Sequence, residues 1–309
     1  MHRTFTLTVP PAATESLCHT LVPLSGVVGL SVAVGAARKP AGHDVLTLTL
    51  LNRAADDVLR RVRAAVPGPD LTIATAEVAS IIAPAHAAAV ENDRDEAVWE
   101  EMESGLRHNG CITVNYLLLM ALGGLISAVG LVSDPVPQTV AFVAAGIIAP
   151  GFDPLAKVPL GAVLGRWTLV GHGLRAAALG YAVLIATAAL TFWGLLATHE
   201  TTAAALLANP EVRNLAAPGL SELLVPGAGA LAGAVLLAAF RRPFQAGRPV
   251  ARTMIPGAAL VGAGLVAGLP ALALDGLTRF GLDCAFIIGL GGPVLWLKQW
   301  LYHRRAPIV

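Results

Sequence analysis

Apolar and polar positions alternate strictly at the start of the chain. RTFTLTV (3–9) repeats with period two and stops at Pro10-Pro11, which predicts a half-buried strand. AATESLCHTLVPL (12–24) reads as a short helix, and VVGLSVAV (27–34) as a β-branched strand. GAARKPAGH (35–43) is turn-rich, and DVLTLTLL (44–51) alternates again. RAADDVLRRVRAAV (53–66) changes to a helical period. It sets Val58, Leu59, Val62, Ala65 and Val66 on one face and arginines on the other. PGPD (67–70) stops it, and LTIATAEVASII (71–82) is a last strand.

The order β-α-β-β-α-β is that of the ferredoxin-like split motif. It resembles regulatory small-molecule domains of the ACT type, so ligand sensing enters by analogy beside a plainer packing or oligomerisation role. ENDRDEAVWEEMESGLRH (91–108) follows as a charged helix. Its acids Glu96, Glu100, Glu101 and Glu103 read as one solvated face, with Trp99 and Met102 docking it. Glu96 and Glu100 are spaced i,i+4 but lack a histidine partner at metal-site spacing.

Beyond residue 110 the alternation gives way to long apolar runs broken by Gly and Pro. A membrane-crossing helix needs about 20 apolar residues. Six segments qualify: 114–132, 137–164, 173–197, 222–240, 255–274 and 282–302. Residues 198–222 form a long connection with room for a short surface helix. The expected fold class is an α-helical polytopic membrane protein with an N-terminal α+β cytoplasmic domain. The expected boundaries are 1–85 for the small domain, 86–112 for a charged linker and 113–309 for the membrane domain.

Composition supports that division. The chain is 55% hydrophobic and 13% charged, against about 25% charged in ordinary soluble domains. Residues 1–110 hold 13 of the 20 acids and 9 of the 21 bases. MHRTFTLTVP lacks the apolar core of a signal peptide, so the small domain is expected in the cytoplasm. The positive-inside rule agrees. With the N-terminus inside, the inner segments hold Arg107, Arg166, Arg175, Arg241, Arg242, Arg248, Arg252, Arg304 and Arg305, and the outer loops hold Arg213 and Arg279. The expected location is the cell membrane, multi-pass, with both termini cytoplasmic.

The net charge of +1 gives no sign of a nucleic-acid partner. Cys18, Cys111 and Cys284 lie far apart, without CxxC pairing for a disulfide framework or zinc site. GxxxxGK[ST], HExxH and GxSxG are absent, so an enzyme is not expected, nor a catalytic residue, metal or cofactor. The expected partners are the lipid bilayer, a small solute or ion, and further copies of the chain.

The candidate chemistry sits in GIIAPGFDPLAKVP (146–159). Pro150, Pro154 and Pro159 each remove a backbone donor, which lipid cannot compensate. Asp153 and Lys157 are spaced i,i+4 and share a face if helical. Charges within a membrane cost about 2.5–3.5 kcal/mol each on insertion scales and usually mark a path or an interior. The segment is expected to be a broken helix or re-entrant loop, or else a loop at the membrane face. Asp153 and Lys157 would be polar contacts, with Pro150, Gly151 and Pro154 shaping the break. Asn115 is expected to hydrogen-bond across helices, and Asp275 and Asp283 to be interfacial. LGRWTL (164–169) and LTRFGL (277–282) echo each other at an offset of 113, pairing Arg166 with Arg279. That suggests a three-plus-three inverted repeat of the kind secondary transporters use.

The segment AAGIIAPGFDPLAKVPLGAVLGRW (144–167), after NYLLLMALGGLISAVGLVSD (115–134), resembles the family of domain of unknown function 389. Ala149, Pro150 and Pro154 match its Ala-Pro-x-x-x-Pro core, and Gly165 and Trp167 its Gly-Asp-Trp-like end. Asp153 departs from the family's usual small residue, and ALVGAGLVAGLP (259–270) replaces a usual Pro-Pro, which marks a divergent member. The resemblance spans about residues 110–300. It implies a small cytoplasmic domain before a multi-span region and supplies no substrate. The expected function is a transporter or channel for a small solute or ion. The alternative is a membrane-anchored sensor or scaffold.

Overall fold

The computed structural model describes residues 2–239 and 248–308. The chain forms two compact units, Met1–Glu101 with His303–Val309, and Met102–Tyr302. The chain therefore passes between them twice.

The first unit runs β1 (His2–Val9), α1 (Pro11–Leu21), β2 (Val27–Ala33), β3 (Asp44–Leu50), α2 (Asn52–Ala65) and β4 (Thr72–Val78). Its sheet order is β2-β3-β1-β4, with each neighbouring pair antiparallel. Period-two alternation explains the layering. In β1 and β3 every second residue is buried, and Phe5 faces Leu48 as Leu7 faces Leu46. Those side chains pack with Leu17 and Leu21 of α1 and Val58, Leu59 and Val62 of α2. Val66, just past the end of α2, joins this core, whereas Ala65, expected on the same face, is exposed. Pro11 starts α1 at a position that needs no backbone donor.

Leu51, the N-cap of α2, has no polar side chain to cap the helix. Asp93 performs that task from 41 residues away. Its carboxylate accepts from Asn52 N at 2.7 Å and Arg53 N at 3.2 Å. The charged stretch 91–101 is thus built into the unit. Glu101 is buried and pairs with Arg3, and burial pushes its carboxyl above the usual range while Arg3 draws it back. The solvated acidic face expected at Glu96–Glu103 is corrected accordingly. Glu101 and Glu103 are buried, and Glu100 holds Arg305 in a two-pronged pair at 2.7 Å. These partners lie outside the local sequence, so the charges looked unmatched. A turn of 3₁₀ helix (Pro84–His86) and α3 (Ala87–Glu91) lead toward this stretch, and α4 (Trp99–Asn109) carries the chain into the second unit.

The second unit is helical: α5 (Val114–Gly130), α6 (Pro135–Ile148), α7 (Phe152–Val163), α8 (Trp167–Ala197), α9 (Ala203–Ala208), α10 (Pro210–Ala216), α11 (Leu220–Ala238), α12 (Arg248–Val266) and α13 (Pro270–Lys298). Thr113 caps α5, Thr202 caps α9 and Asn209 caps α10. Helix α8 packs against α5, α7 and α12. Gly124 and Gly262 allow this. A Cβ on Gly124 would lie 2.3 Å from Leu184 O, and one on Gly262 would lie 2.4 Å from Ile185 O.

Among the described residues, three helices are long and apolar enough to cross a membrane: Trp167–Ala197, Leu220–Ala238 and Pro270–His303. The bent pair Pro135–Ile148 and Phe152–Val163 makes a fourth if taken as one span. Val114–Gly130 and Val250–Val266 are shorter apolar helices. The large apolar side chains Leu118, Leu122, Val140, Leu190 and Trp193 are exposed, while Asp153, Lys157, Arg279 and Asp283 are buried. That inverts the usual soluble arrangement and suits a hydrocarbon surround.

Several assignments differ from the sequence reading. The fifth apolar segment was expected to run through Pro270, but α12 ends at Val266 and Pro270 begins α13. Gly268, at φ +71°, makes the turn. Arg279 therefore belongs to the interior of α13 rather than an outer loop, and Asp283 is buried rather than interfacial. Finally, Arg166 stands at the N-cap of α8, so the offset of 113 pairs a helix start with a helix interior. The connection 198–222 carries two short helices instead of one. Phe240, Arg241 and Arg242 lie outside the described residues.

Candidate functional site

The break between α6 and α7 follows from its prolines. Pro150 disfavours helical geometry at the residue before it, and Ala149 is extended at φ −80°, ψ 118°. Gly151 N donates to Ala149 O at 2.8 Å, then α7 begins at Phe152. Pro154 falls in the first turn, where backbone donors have no intrahelical partner to lose. The two helices meet at a bend of 50°. Residues 151–157 are all buried, so the segment is a break enclosed by protein and not an open loop. A Cβ on Gly151 would lie 2.2 Å from Tyr181 Oη and 3.1 Å from Ile255 Cδ1. Only glycine fits there.

Asp153 and Lys157 lie on successive turns of α7 and are 5% and 2% exposed. Lys157 Nζ donates to Gly110 O at 2.6 Å. It also lines a cleft of ≈ 520 Å³ with Glu103, Arg107, Arg166 and Arg175. Glu103 bridges two of these cations, accepting from Arg107 Nη2 at 2.7 Å and from Arg166. Pro150, Gly151 and Pro154 shape the break but do not line the cleft. Asn115 is exposed near the start of α5 and stands apart from this group.

A second polar group was missed by sequence reasoning. Thr253 Oγ1 of α12 donates to Asp283 Oδ2 at 2.8 Å, and Arg279 Nε lies 3.4 Å from the same oxygen. Arg279 Nη2 donates to Glu222 O at 3.4 Å. Thr253, Arg279, Glu222 and Arg252 line a smaller cleft of ≈ 280 Å³. The signal was available: Arg279 and Asp283 are spaced i,i+4 like Asp153 and Lys157. Reading LTRFGL as a loop hid it.

Aromatic hydroxyls lie between the elements that carry these groups. Tyr116 Oη donates to Ala176 O at 2.8 Å, and Ala176 lines the larger cleft. Tyr181 packs its ring on Phe280, next to Arg279, with centroids 4.4 Å apart. Among the described residues, Tyr181 Oη and Asp283 Oδ1 are buried without a hydrogen-bond partner. No group of three or more His, Cys, Asp or Glu side chains is placed to hold a metal ion among the described residues.

Long apolar helices around buried ionisable side chains define a helical chain suited to a membrane. The family model described as domain of unknown function (DUF389) matches residues 147–289, and over this segment the chain is similar to that family. The matched segment holds the break, Asp153 and Lys157, and the Arg279–Asp283 pair. It is narrower than the expected residues 110–300. No curated protein and no solved structure matches the chain.

Proposed function

We propose that the chain is a multi-pass membrane protein that moves a small solute or ion across the bilayer. The observation that carries this reading is the enclosed helix break, whose second helix buries Asp153 and Lys157 and brings Lys157 to the wall of a cleft. Broken helices lining a cavity are the way transporters expose backbone and charge at membrane depth. The second cleft at Arg279 supplies another polar approach, and Tyr116, Tyr181 and Asp283 supply polar groups in the helical interior.

Six spanning segments are part of this proposal, with both termini cytoplasmic. Val114–Gly130 has 17 residues, the lower end of what crosses a core of about 30 Å. α5, the α6–α7 pair and α8 would form one half, and α11, α12 and α13 the inverted other. The strand order β2-β3-β1-β4 supports a ferredoxin-like reading of the first unit. Its chain leaves for the second unit after Glu101 and returns at His303, which suits a regulatory or assembly domain within a homo-oligomer.

A cysteine at Tyr181, in a chain without its native cysteines, tests the pathway. In sealed vesicles, a small membrane-impermeant methanethiosulfonate should modify it from at least one side, since a working path must admit water there. Full resistance from both sides over hours, with Thr168→Cys at the cleft reacting normally, would overturn transport and leave the sensor or scaffold reading.

A further inference from the structure

We propose that the cleft at Lys157 binds a phosphoryl group, carried by a small soluble anion or by a phosphomonoester lipid headgroup. This deepens the transport reading, on which it rests, by naming the chemical class of the solute. Four cations from three elements line the cleft: Arg107 of α4, Lys157 of α7, and Arg166 and Arg175 at the start of α8. Its one carboxylate, Glu103, is already engaged by Arg107 and Arg166. Counting Asp153 against Lys157 as well, four cations and two carboxylates leave two positive charges. That residue of charge matches a phosphoryl dianion, whose second pKa is about 6.

The donors suit it too. An ammonium has three protons, and Gly110 O takes one from Lys157. Arginine forks match phosphoryl oxygens in two-pronged geometry. Thr168 and Leu169, in the first turn of the 31-residue α8, also line the cleft, so the positive end of a long helix faces it. The volume of ≈ 520 Å³ falls within the range of about 300–1,000 Å³ typical of small-molecule sites. Four like charges repel a metal cation from the same space.

The test is calorimetric titration of inorganic phosphate into the full chain in nanodiscs of neutral phosphatidylcholine, with chloride setting a constant ionic strength. Binding is expected, weakened about tenfold by Arg175→Gln, the loss of one charge-assisted hydrogen bond. Arg175 is exposed, so this variant should fold even if Lys157→Met does not. Repeating the titration in discs containing phosphatidic acid, whose headgroup is a phosphomonoester, separates the sources. Binding that persists identifies a soluble anion, and binding that disappears identifies the lipid headgroup. No binding in neutral discs, or binding that Arg175→Gln leaves unchanged, overturns the proposal. Phosphate binding with an unreactive Tyr181→Cys would defeat transport alone. A reactive Tyr181→Cys without phosphate binding would defeat the phosphoryl site alone.

Discussion

Arg279 Nε lies 3.4 Å from Asp283 Oδ2, one turn apart on α13, with side chains 2% and 0% exposed. Thr253 completes the group from α12. Removing one member of a buried pair strands the other charge at a cost of about 3–5 kcal/mol, whereas replacing both by apolar groups is often near neutral. Asp283→Leu should therefore lower the thermal midpoint of the detergent-solubilised chain sharply, because Arg279 keeps its charge. Arg279→Leu/Asp283→Leu should melt closer to wild type than either single variant. Additive losses in the double variant would show that the two residues do not act as a pair.

Gly151 and Tyr181 give a second expectation. A Cβ at Gly151 would meet Tyr181 Oη at 2.2 Å, and Tyr181 is buried with little space to retreat. Overpacking of this kind costs about 1–3 kcal/mol. Gly151→Ala should destabilise the chain by that amount in thermal melts. Tyr181→Phe removes the atom in the way, and its hydroxyl has no hydrogen-bond partner among the described residues. It should thus be neutral alone and restore much of the loss when combined with Gly151→Ala. A combined variant as unstable as Gly151→Ala would place the conflict at Ile255 instead.

What could be read from the residues depended on how local the physics was. The strands of the first unit were legible because Phe5, Leu7, Leu46 and Leu48 repeat with period two and prolines punctuate them. The α6–α7 break was legible because Pro150 acts on its immediate neighbour. The charged stretch 91–103 was misread because its partners are distant: Asp93 caps a helix 41 residues back, and Glu100 meets Arg305 across 205 residues. Arg166 and Arg175 were read only as topology signals, since nothing local reveals that they line the cleft with Lys157. Arg279 and Asp283 were lost through a misplaced boundary, because Pro270 fits both the end of one apolar run and the start of the next helix.

The tail of the first unit carries the last expectation, a pH dependence. Arg305 holds Glu100 through two bonds of 2.7 Å and also pairs with Asp56, while Ile308 N donates to Glu100 Oε1 at 2.8 Å. Burial opposes the charge on both carboxylates. For Asp56 the His303 hydrogen bond and the Arg305 charge outweigh it, and for Glu100 the Arg305 hydrogen bond and charge do. Both carboxyls therefore lie below their ordinary values, which are about 3.9 for Asp and 4.3 for Glu. A lowered folded-state pKa contributes stability that is complete above the unfolded pKa and is lost as pH falls through the folded one. The tail should stay docked from neutral pH down to about pH 5 and loosen progressively below about pH 4. Arg305→Gln should cost about 1.5–3 kcal/mol at pH 7, the range for hydrogen bonds to charged groups, and should flatten the acid limb of the stability profile. Arg305→Lys should recover only part of it, since an ammonium cannot reproduce the fork on Glu100. Thermal melts of the full chain between pH 3.5 and pH 7 measure both effects. An Arg305→Gln profile parallel to wild type would mean that the Arg305 pairs contribute nothing to the acid response.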